Sequence, residues 1–306
     1  MTALLLFLFA LLVGAAVAAF IWHRRGGVAP SRALPKRAGR ALRRRSAHAS
    51  EALAEADSRA ETAVGLGAAM AALVMAGVVV GALAYLVRSE TAIVRLDESV
   101  ADWGQAHAGA LSTDVLEAIT ELGEPTTVAV MAAVLALIET VRTRNLWVAP
   151  FLLVVVAGNG IITTTIKNLA DRVRPELNPL AETLGPSFPS GHSSWSAAFV
   201  AAAALLLGRG RSPRARSAIA GVAAALVAMV AGSRVLLGVH WLSDVIAGVA
   251  IGLAWFCVCA VAFGGRLLRF GAAADEAAQA AGGGLPGRSG LGVHSAPERD
   301  ESRLRH

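Results

Sequence analysis

The chain has 306 residues, of which 55% are hydrophobic and only 16% are charged, and its mean hydropathy is +0.58. Soluble domains carry roughly 25% charged residues, so these figures exclude a disordered protein, a coiled coil and a disulfide scaffold, and they favour a bilayer as the solvent. The net charge of +6 would also suit nucleic-acid binding, so the placement of the charges has to decide what it means.

Seven apolar runs follow one another along the chain, and each is close to the roughly 17–25 residues that a helix needs to cross a bilayer. Because lipid cannot hydrogen-bond to backbone groups, each run is predicted to be a helix. The runs cover 3–22, 64–87, about 127–141, 146–166, about 193–208, 217–233 and 242–264. The sequence therefore predicts an all-α integral membrane bundle, with one N-terminal transmembrane helix before a six-helix core.

These runs divide the chain into four parts. We interpret 1–22 as a transmembrane anchor, 23–63 as a basic linker, 64–264 as the six-helix core and 265–306 as a disordered tail, because that tail is rich in Gly, Ala and Arg without apolar periodicity. The first run could instead be a signal peptide with a small-residue cleavage site at 16–18. Basic residues follow this run and none precede it, which favours an uncleaved anchor.

The links between the runs alternate in charge. The segment 88–126 is mostly acidic, whereas the basic links are 23–63, 142–145, 209–216 and the start of the tail. The positive-inside rule places the basic links in the cytoplasm, so the N-terminus, 88–126, 167–192 and 234–241 lie outside. Most of the positive charge is thus an orientation signal, and we predict a solvated basic loop at 23–63 and no nucleic-acid partner.

Within 88–126, Ser112-Thr113-Asp114 precedes apolar residues that alternate with acidic ones. This pattern predicts a short capped amphipathic helix at the outer interface. An ordinary loop helix without a role in substrate binding fits the pattern equally well.

Several cations break the orientation rule on the outer side. Lys167, Arg172 and Arg174 lie in one outer link, and Arg234 stands at the end of the sixth apolar run. A single Arg could reach the headgroups by snorkelling, but four cations from separate segments at one membrane face are typical of a functional site. Such a cluster would bind an anion, and the planar guanidinium fork suits phosphate.

The motif Pro189-Ser190-Gly191-His192 stands at the start of the fifth apolar run. Proline and serine favour a helix that begins here. Glycine permits close approach of a ligand to the backbone, and the free N–H groups of a helix N-terminus bind phosphate. Taken alone, the motif could equally be a plain helix cap followed by an interfacial histidine.

His240 and Asp244 are four residues apart, so on a helix they would share a face and the carboxylate could reach one ring nitrogen. An Asp that holds a His fixes its tautomer and leaves the other nitrogen free as a base or nucleophile. A pair that only satisfies a helix start is the alternative interpretation.

Together these residues indicate a phosphoryl-transfer site. The phosphate oxygens would be neutralised by Lys167, Arg174 and Arg234, and the backbone N–H groups at 190–192 would donate hydrogen bonds to them. His240 would take the phosphoryl group and His192 would protonate the leaving oxygen. Because fixed cations stabilise the charge, we predict no metal and no other cofactor. The chain has no spacing typical of metal ligands, and we interpret Cys257 and Cys259 as small apolar residues.

Three groups of residues resemble the signatures of the type 2 phosphatidic acid phosphatases. They are Lys167 followed after six residues by Arg174-Pro175, then Pro189-Ser190-Gly191-His192, and then Ser233-Arg234 with His240 and Asp244. Each group alone is a weak signal, but the three occur in the family's order, each at a membrane edge on the same side. The resemblance covers about 64–264.

The resemblance implies a six-helix membrane bundle that removes phosphate from lipid phosphates or diphosphates without a metal. It implies that His240 is phosphorylated, that Asp244 orients it and that His192 protonates the leaving group. The phosphate-binding residues that it implies are Lys167, Arg174, Ser190, Gly191 and Arg234. The soluble vanadium haloperoxidases have similar signatures, but seven apolar runs do not fit that branch.

We therefore expect a lipid phosphatase in a bacterial plasma membrane, with its active site outside and its C-terminus in the cytoplasm. Polyprenyl diphosphate, phosphatidic acid and phosphatidylglycerol phosphate are the candidate substrates. Two alternatives stay open: a phosphotransferase that uses an acceptor other than water, and a transporter or binder of anionic headgroups. A binder would need the cations but no acid-supported nucleophile at His240.

Overall fold

The computed structural model describes residues 1–25, 67, 70–89, 92–107, 109–175 and 185–282. Within these ranges the regular structure is helical, without a strand. The helices, in chain order, are α1 Thr2–Arg25, α2 Met70–Arg88, α3 Ala92–Ala106, α4 Ala110–Thr120, α5 Pro125–Thr143, α6 Val148–Ala170, α7 Gly191–Gly208, α8 Pro213–Leu236 and α9 Leu242–Gly282. A short 3₁₀ turn, Glu121–Gly123, joins α4 to α5.

Seven of the described helices are long and apolar enough to cross a bilayer, namely α1, α2 and α5 to α9. This finding confirms the predicted all-α bundle of six spans after an N-terminal one, and the protein is an integral membrane protein. The predicted linker 23–63 lies outside the described residues, apart from the end of α1.

Polar caps set where some of the spans begin. Thr126 N donates to Glu124 Oε2 at 2.5 Å, and Pro125 is the first residue of α5. In the same way Ala215 N donates to Ser212 Oγ at 3.3 Å just after Pro213, the first residue of α8. A capping side chain and a proline at the first position both stabilise a helix start. These two spans therefore begin before the apolar runs from which they were predicted.

Two short helices, α3 and α4, lie where the sequence predicted one. α4 begins at Ala110, so Ser112 stands inside its first turn and does not precede the helix. Ser112 Oγ accepts from Gly109 N at 3.0 Å and donates to Gly109 O at 2.8 Å. The serine thus satisfies the helix start from inside the first turn. Both helices pack on α8.

The last helix is longer than its apolar run. α9 continues to Gly282, whereas the sequence predicted a tail without regular structure from 265 onward. Alanine predominates in 272–281, and alanine is the best helix former. The part of the predicted tail from 283 to 306 lies outside the described residues.

α7 is the most buried of the described spans and contacts α5, α6 and α8. It also meets α9 closely, because a Cβ on Gly248 would lie 2.4 Å from Ser190 O and one on Gly252 would lie 2.3 Å from Ser194 O. Small residues let helix backbones approach in a membrane. This contact holds the start of α7 against the start of α9, where several predicted site residues lie.

The N-terminal helix α1 also packs closely along α8 through glycines. A Cβ on Gly14 would lie 2.6 Å from Gly221 O, and the reverse distance is also 2.6 Å. At these positions only glycine fits without a shift of one helix. α1 therefore belongs to the bundle, and it supports the helix that carries Arg234.

Candidate active site

Segments from four parts of the chain meet at one end of the bundle and carry the predicted site residues. The segments are the end of α6 with 171–175, the link 185–190 with the start of α7, the last turn of α8, and the link 237–241 with the start of α9. Backbone hydrogen bonds join them, since Ser187 N donates to Arg172 O at 2.7 Å and Ser190 N donates to Asp244 O at 3.0 Å.

His240 and Asp244 form a buried pair, with 1% and 0% of their surfaces exposed. His240 Nδ1 lies 3.4 Å from Asp244 Oδ2. The pair does not share a helix face as predicted, because His240 precedes α9 and a turn brings it to the carboxylate. The same oxygen accepts from Trp241 N at 3.0 Å and from Ser187 Oγ. These additional donors fix the orientation of the carboxylate.

The other nitrogen of His240 faces a guanidinium. Arg174 Nη1 lies 3.1 Å from His240 Nε2, and because arginine can only donate, Nε2 accepts and Nδ1 carries the proton toward Asp244. Burial lowers the pKa of His240 to about 4, against the hydrogen bond and charge of Asp244, which raise it. The ring is therefore neutral at neutral pH, with its lone pair on Nε2.

Arg174 lies beside this ring, and backbone carbonyls hold both Arg174 and Lys167 in place. Lys167 Nζ donates to Pro186 O at 2.8 Å. Arg174 donates from Nη1 to Val239 O at 2.6 Å and from Nε to Gly185 O at 2.8 Å. Burial lowers the pKa of Arg174 from its ordinary value, and the charge of Asp244 opposes this shift. Arg174 Nη2 also donates to Pro186 O at 3.2 Å, so the two positive charges lie together at this carbonyl.

Arg234 reaches the site from the last turn of α8. Its Nη1 donates to Thr120 Oγ1 at 2.9 Å, while its Nε is buried without a hydrogen-bond partner among the described residues. A buried guanidinium nitrogen of this kind loses free energy unless an acceptor reaches it. An anion bound among these cations would supply that acceptor.

The start of α7 completes the cluster. A Cβ on Gly191 would lie 3.9 Å from Lys167 Cε, so the first N–H groups of α7 lie near that lysine. His192 follows in the same turn, half-buried, and its ring interacts electrostatically with Arg234 and His240. Ser190 Oγ accepts from Ser193 Oγ at 3.0 Å. The serine hydroxyl therefore binds a side chain of the first turn of α7, whereas Gly191 lies next to Lys167.

Arg172 belongs to the outer cation cluster of the sequence but not to its predicted phosphate-binding residues, and in the structure it contacts carboxylates. Its Nη1 donates to Asp244 Oδ1 at 2.5 Å and its Nη2 donates to Asp97 Oδ2 at 2.9 Å. Ser243 and Ser187 complete this group of contacts around Asp244. Sequence reasoning did not identify Asp97, Ser187 or Ser243, because no spacing in the chain links them to the signatures.

Comparison with known proteins gives several matches. The PAP2 superfamily matches residues 147–267. Phosphatidylglycerophosphatase B of Bacillus subtilis is 35% identical over 118 residues, which are 37% of this chain and 57% of that protein. The lipid A 1-phosphatase of Rhizobium johnstonii is 38% identical over 120 residues, which are 36% of this chain and 45% of that protein. The chain thus spans about half the length of these two relatives.

Two further matches cover more of the relative. The decaprenylphosphoryl-5-phosphoribose phosphatase of Mycobacterium tuberculosis is 35% identical over 143 residues, which are 44% of this chain and 71% of that protein. The crystal structure of a transmembrane PAP2 type phosphatidylglycerolphosphate phosphatase from Bacillus subtilis superposes with a TM-score of 0.59 at 25% identity, over 65% of this chain and 98% of that one. With the signatures in the family's order and relatives of this kind, the chain belongs to the PAP2 superfamily.

Proposed function

We propose that this protein is a membrane phosphatase that hydrolyses a lipid phosphate or diphosphate through a phosphohistidine intermediate. The observation that carries the proposal is His240, whose Nδ1 faces Asp244 and whose Nε2 faces the Arg174 guanidinium. A protein that only binds anionic headgroups needs cations, whereas a neutral histidine that is oriented by an acid is typical of a nucleophile or base. This geometry favours catalysis over simple binding.

In the first step, His240 Nε2 forms a bond to phosphorus while the bond from phosphorus to the lipid oxygen breaks. The leaving oxygen keeps the bonding electron pair and takes a proton from His192. His240 becomes a phosphorylated imidazolium, and its Nδ1–H remains hydrogen-bonded to Asp244. Arg174, which donates to Nε2 without substrate, turns to the phosphate oxygens.

In the second step, a water molecule attacks the phosphorus of the phosphohistidine. The P–N bond breaks, and its electron pair returns to His240 Nε2. His192, now neutral, accepts the water proton, and phosphate leaves. Both histidines thereby regain their starting protonation states.

Protein cations supply the charge compensation in both steps. Lys167, Arg174 and Arg234 converge beside His240, and the N–H groups at the start of α7 add hydrogen bonds to the same oxygens. Three fixed positive charges can offset the charge of a phosphoryl group in transfer. We infer that the reaction proceeds without a metal ion.

An apolar groove beside the site supports a lipid substrate. It has a volume of about 490 Å³ and lies between α2 and α6, with Gly81, Ala84 and Ile166 in its walls. Arg172 and Phe188 also line it, and both belong to the links that build the site. We propose that the groove holds the hydrocarbon chain next to the phosphate. The names of the relatives likewise refer to phosphatidylglycerophosphate, lipid A and a decaprenylphosphoryl sugar.

Phosphate release by the purified protein tests the proposal. With excess chelator, we expect inorganic phosphate from at least one of polyprenyl diphosphate, phosphatidic acid and phosphatidylglycerol phosphate. His240→Ala should reduce the rate by about 10⁴-fold or more, because the nucleophile is lost. His107→Ala is the matched control, since His107 stacks on Trp103 in α3, away from this cluster.

Two further readouts separate the alternatives. A lipid labelled in its phosphate should label the wild-type protein on a histidine, and His240→Ala should stay unlabelled. Glycerol added as a competing acceptor distinguishes a hydrolase from a phosphotransferase, because a phosphotransferase would form glycerol phosphate in preference to free phosphate. Full activity of His240→Ala would overturn the mechanism.

A further inference from the structure

Asp97 is a buried carboxylate on α3, in a segment that precedes the family match over 147–267. Only 1% of its surface is exposed. Oδ1 accepts from Ser243 N at 2.9 Å, and Oδ2 accepts from Ser243 Oγ at 2.5 Å and from Arg172 Nη2 at 2.9 Å. A buried charge in an apolar bundle is stable only when it is paired in this way. Both oxygens thus bind the start of α9 and one arginine.

Arg172 connects this carboxylate to the proposed catalytic pair. Its Nη1 donates to Asp244 Oδ1 at 2.5 Å and to Ser243 Oγ at 2.7 Å. Its guanidinium also lies over the Trp241 ring, 5.4 Å from the centroid. The contacts therefore run from Asp97 through Arg172 to Asp244 and then to His240.

Arg172 divides one positive charge between two carboxylates. Asp244 also faces His240 and Ser187, and the charge of Arg174 acts on it from the link that follows α6. Without the charge of Asp97, Arg172 would pair with Asp244 alone. It would then draw Oδ1 and its negative charge away from the imidazolium that forms when His240 is phosphorylated.

We propose that Asp97 is a positioning residue for the reaction, which acts through Arg172 and Ser243 to set the orientation and effective charge of Asp244. This inference rests on the proposed phosphatase function. If it is correct, α3 contributes to the orientation of Asp244, although Asp97 contacts Asp244 only through other residues.

The isosteric variant Asp97→Asn tests this role. It keeps an acceptor for Ser243 N and removes the charge that holds Arg172. We expect kcat to fall about tenfold or more, as when the partner that orients a functional side chain is lost, while KM stays within about twofold because no phosphate contact changes. Glu98→Gln is the matched control, since Glu98 is the exposed neighbour on the same helix, and it should leave both constants unchanged.

A double-mutant cycle separates positioning from general support of the fold. If Asp97 acts through Asp244, Asp97→Asn should cause little further loss in an Asp244→Asn background. Additive losses, or an Asp97→Asn kcat equal to that of Glu98→Gln, would overturn the inference. If Asp97→Asn does not fold, Ser243→Ala replaces it. This change removes the hydroxyl that joins Asp97 Oδ2 to Arg172 Nη1 and leaves both charges in place. Because the inference routes the effect of Asp97 partly through this serine, an unchanged kcat would again overturn it.

Nitrogen NMR of the His240 ring keeps this inference distinct from the proposed function. A wild-type protein that releases no phosphate from any lipid would overturn the function. In that case the His240 ring resonances still test the positioning role of Asp97. Asp97→Asn should shift them and lower the pH at which the ring takes a proton, whereas Glu98→Gln should not. Identical spectra for the two variants would overturn the positioning role.

Discussion

The proposed chemistry depends on one histidine that its surroundings keep neutral. Histidine ordinarily has a pKa of about 6.5, whereas burial lowers the pKa of His240 to about 4 even though Asp244 opposes the shift. In the interval between these values, an exposed histidine takes a proton and His240 retains its Nε2 lone pair. A nucleophile needs that lone pair, so the burial of the ring directly serves the reaction.

We predict that His240 stays in the neutral Nδ1–H tautomer down to about pH 5 and takes a proton only as the pH approaches 4. Nitrogen NMR of the histidine rings from pH 8 to 4 measures this, free of the ionisation of a substrate phosphate. The unfolded chain takes the same proton near pH 6.5, so folded-state stability should fall as the pH drops from about 6.5 to 4. Protonation at or above the ordinary pKa would contradict the burial argument.

Residues in the signatures could be predicted because their types and spacings have meaning within the sequence. His240 and Asp244 were paired correctly, although a turn and not a helix face joins them. Asp97 could not be predicted, because it is one of several acidic residues in 88–126 and its role depends on a partner 75 residues away in sequence. Ser187 has the same limitation, since only the folded chain shows that it donates to Asp244.

Among the helices, α2 and α6 form the groove that we propose for the lipid chain. Most residues that line their groove are apolar, and Arg88, Asp171, Arg172 and Phe188 also line it. Phe188 in turn packs in a cluster with Leu83 of α2 and Ala247 of α9. A chain in this groove would lie beside the two helices while its phosphate approached His240. The helix pair, and not a single residue, would then set the preference for chain length.

Filling the groove should therefore affect lipids more than short substrates. Gly81 lines the groove, and a Cβ at this position meets nothing within 4 Å, so the first side-chain atom of Gly81→Trp has room and the ring extends from the groove wall. We expect its kcat/KM to fall about tenfold for a long-chain phosphatidic acid and to stay within about twofold for a short-chain, soluble analogue. Phosphate release from the two substrates measures the difference.

Gly77→Trp is the control for this prediction, because Gly77 lies one helical turn away on α2, has equally open space and does not line the groove. Equal losses for both variants, or for both substrates, would show that the tryptophan disturbs α2 and that the groove does not hold the lipid chain.

Element by element, the apolar runs predicted the spans better than they predicted the helix ends. Long apolar stretches have one stable structure in a bilayer, which is why all seven were found. The ends of the spans depend on local caps such as Glu124 and Ser212. α3 was not predicted, because its buried face consists of Asp97, Ala101 and Gly104, which form no apolar pattern. The position of this helix is explained by its tertiary contacts with α8 and α9, which the sequence pattern does not show.

Across the whole molecule, the two ends of the bundle differ in charge. At one end, Arg209 Nη2 donates to Leu267 O, and Arg214 lies over the Trp22 ring at 5.4 Å. Arg142 pairs with the buried Glu139 in α5, just before the basic link 142–145. The opposite end carries the candidate site, and Met1 lies there beside Gly109. From the positive-inside rule we predict that the basic end faces the cytoplasm and that the site faces outward.

Labelling from outside the cell tests this orientation. In a variant with Cys257→Ala and Cys259→Ala, we expect a membrane-impermeant thiol reagent to label Arg95→Cys in intact cells and to label Arg211→Cys only after permeabilisation. Both arginines are exposed, Arg95 on α3 at the site end and Arg211 in the basic link at the other end, so access alone separates them. A reporter fused after residue 306 should correspondingly report a cytoplasmic location. The reverse labelling pattern would place His240 at the cytoplasmic face, and the enzyme would then have to take its lipid phosphate from the inner leaflet.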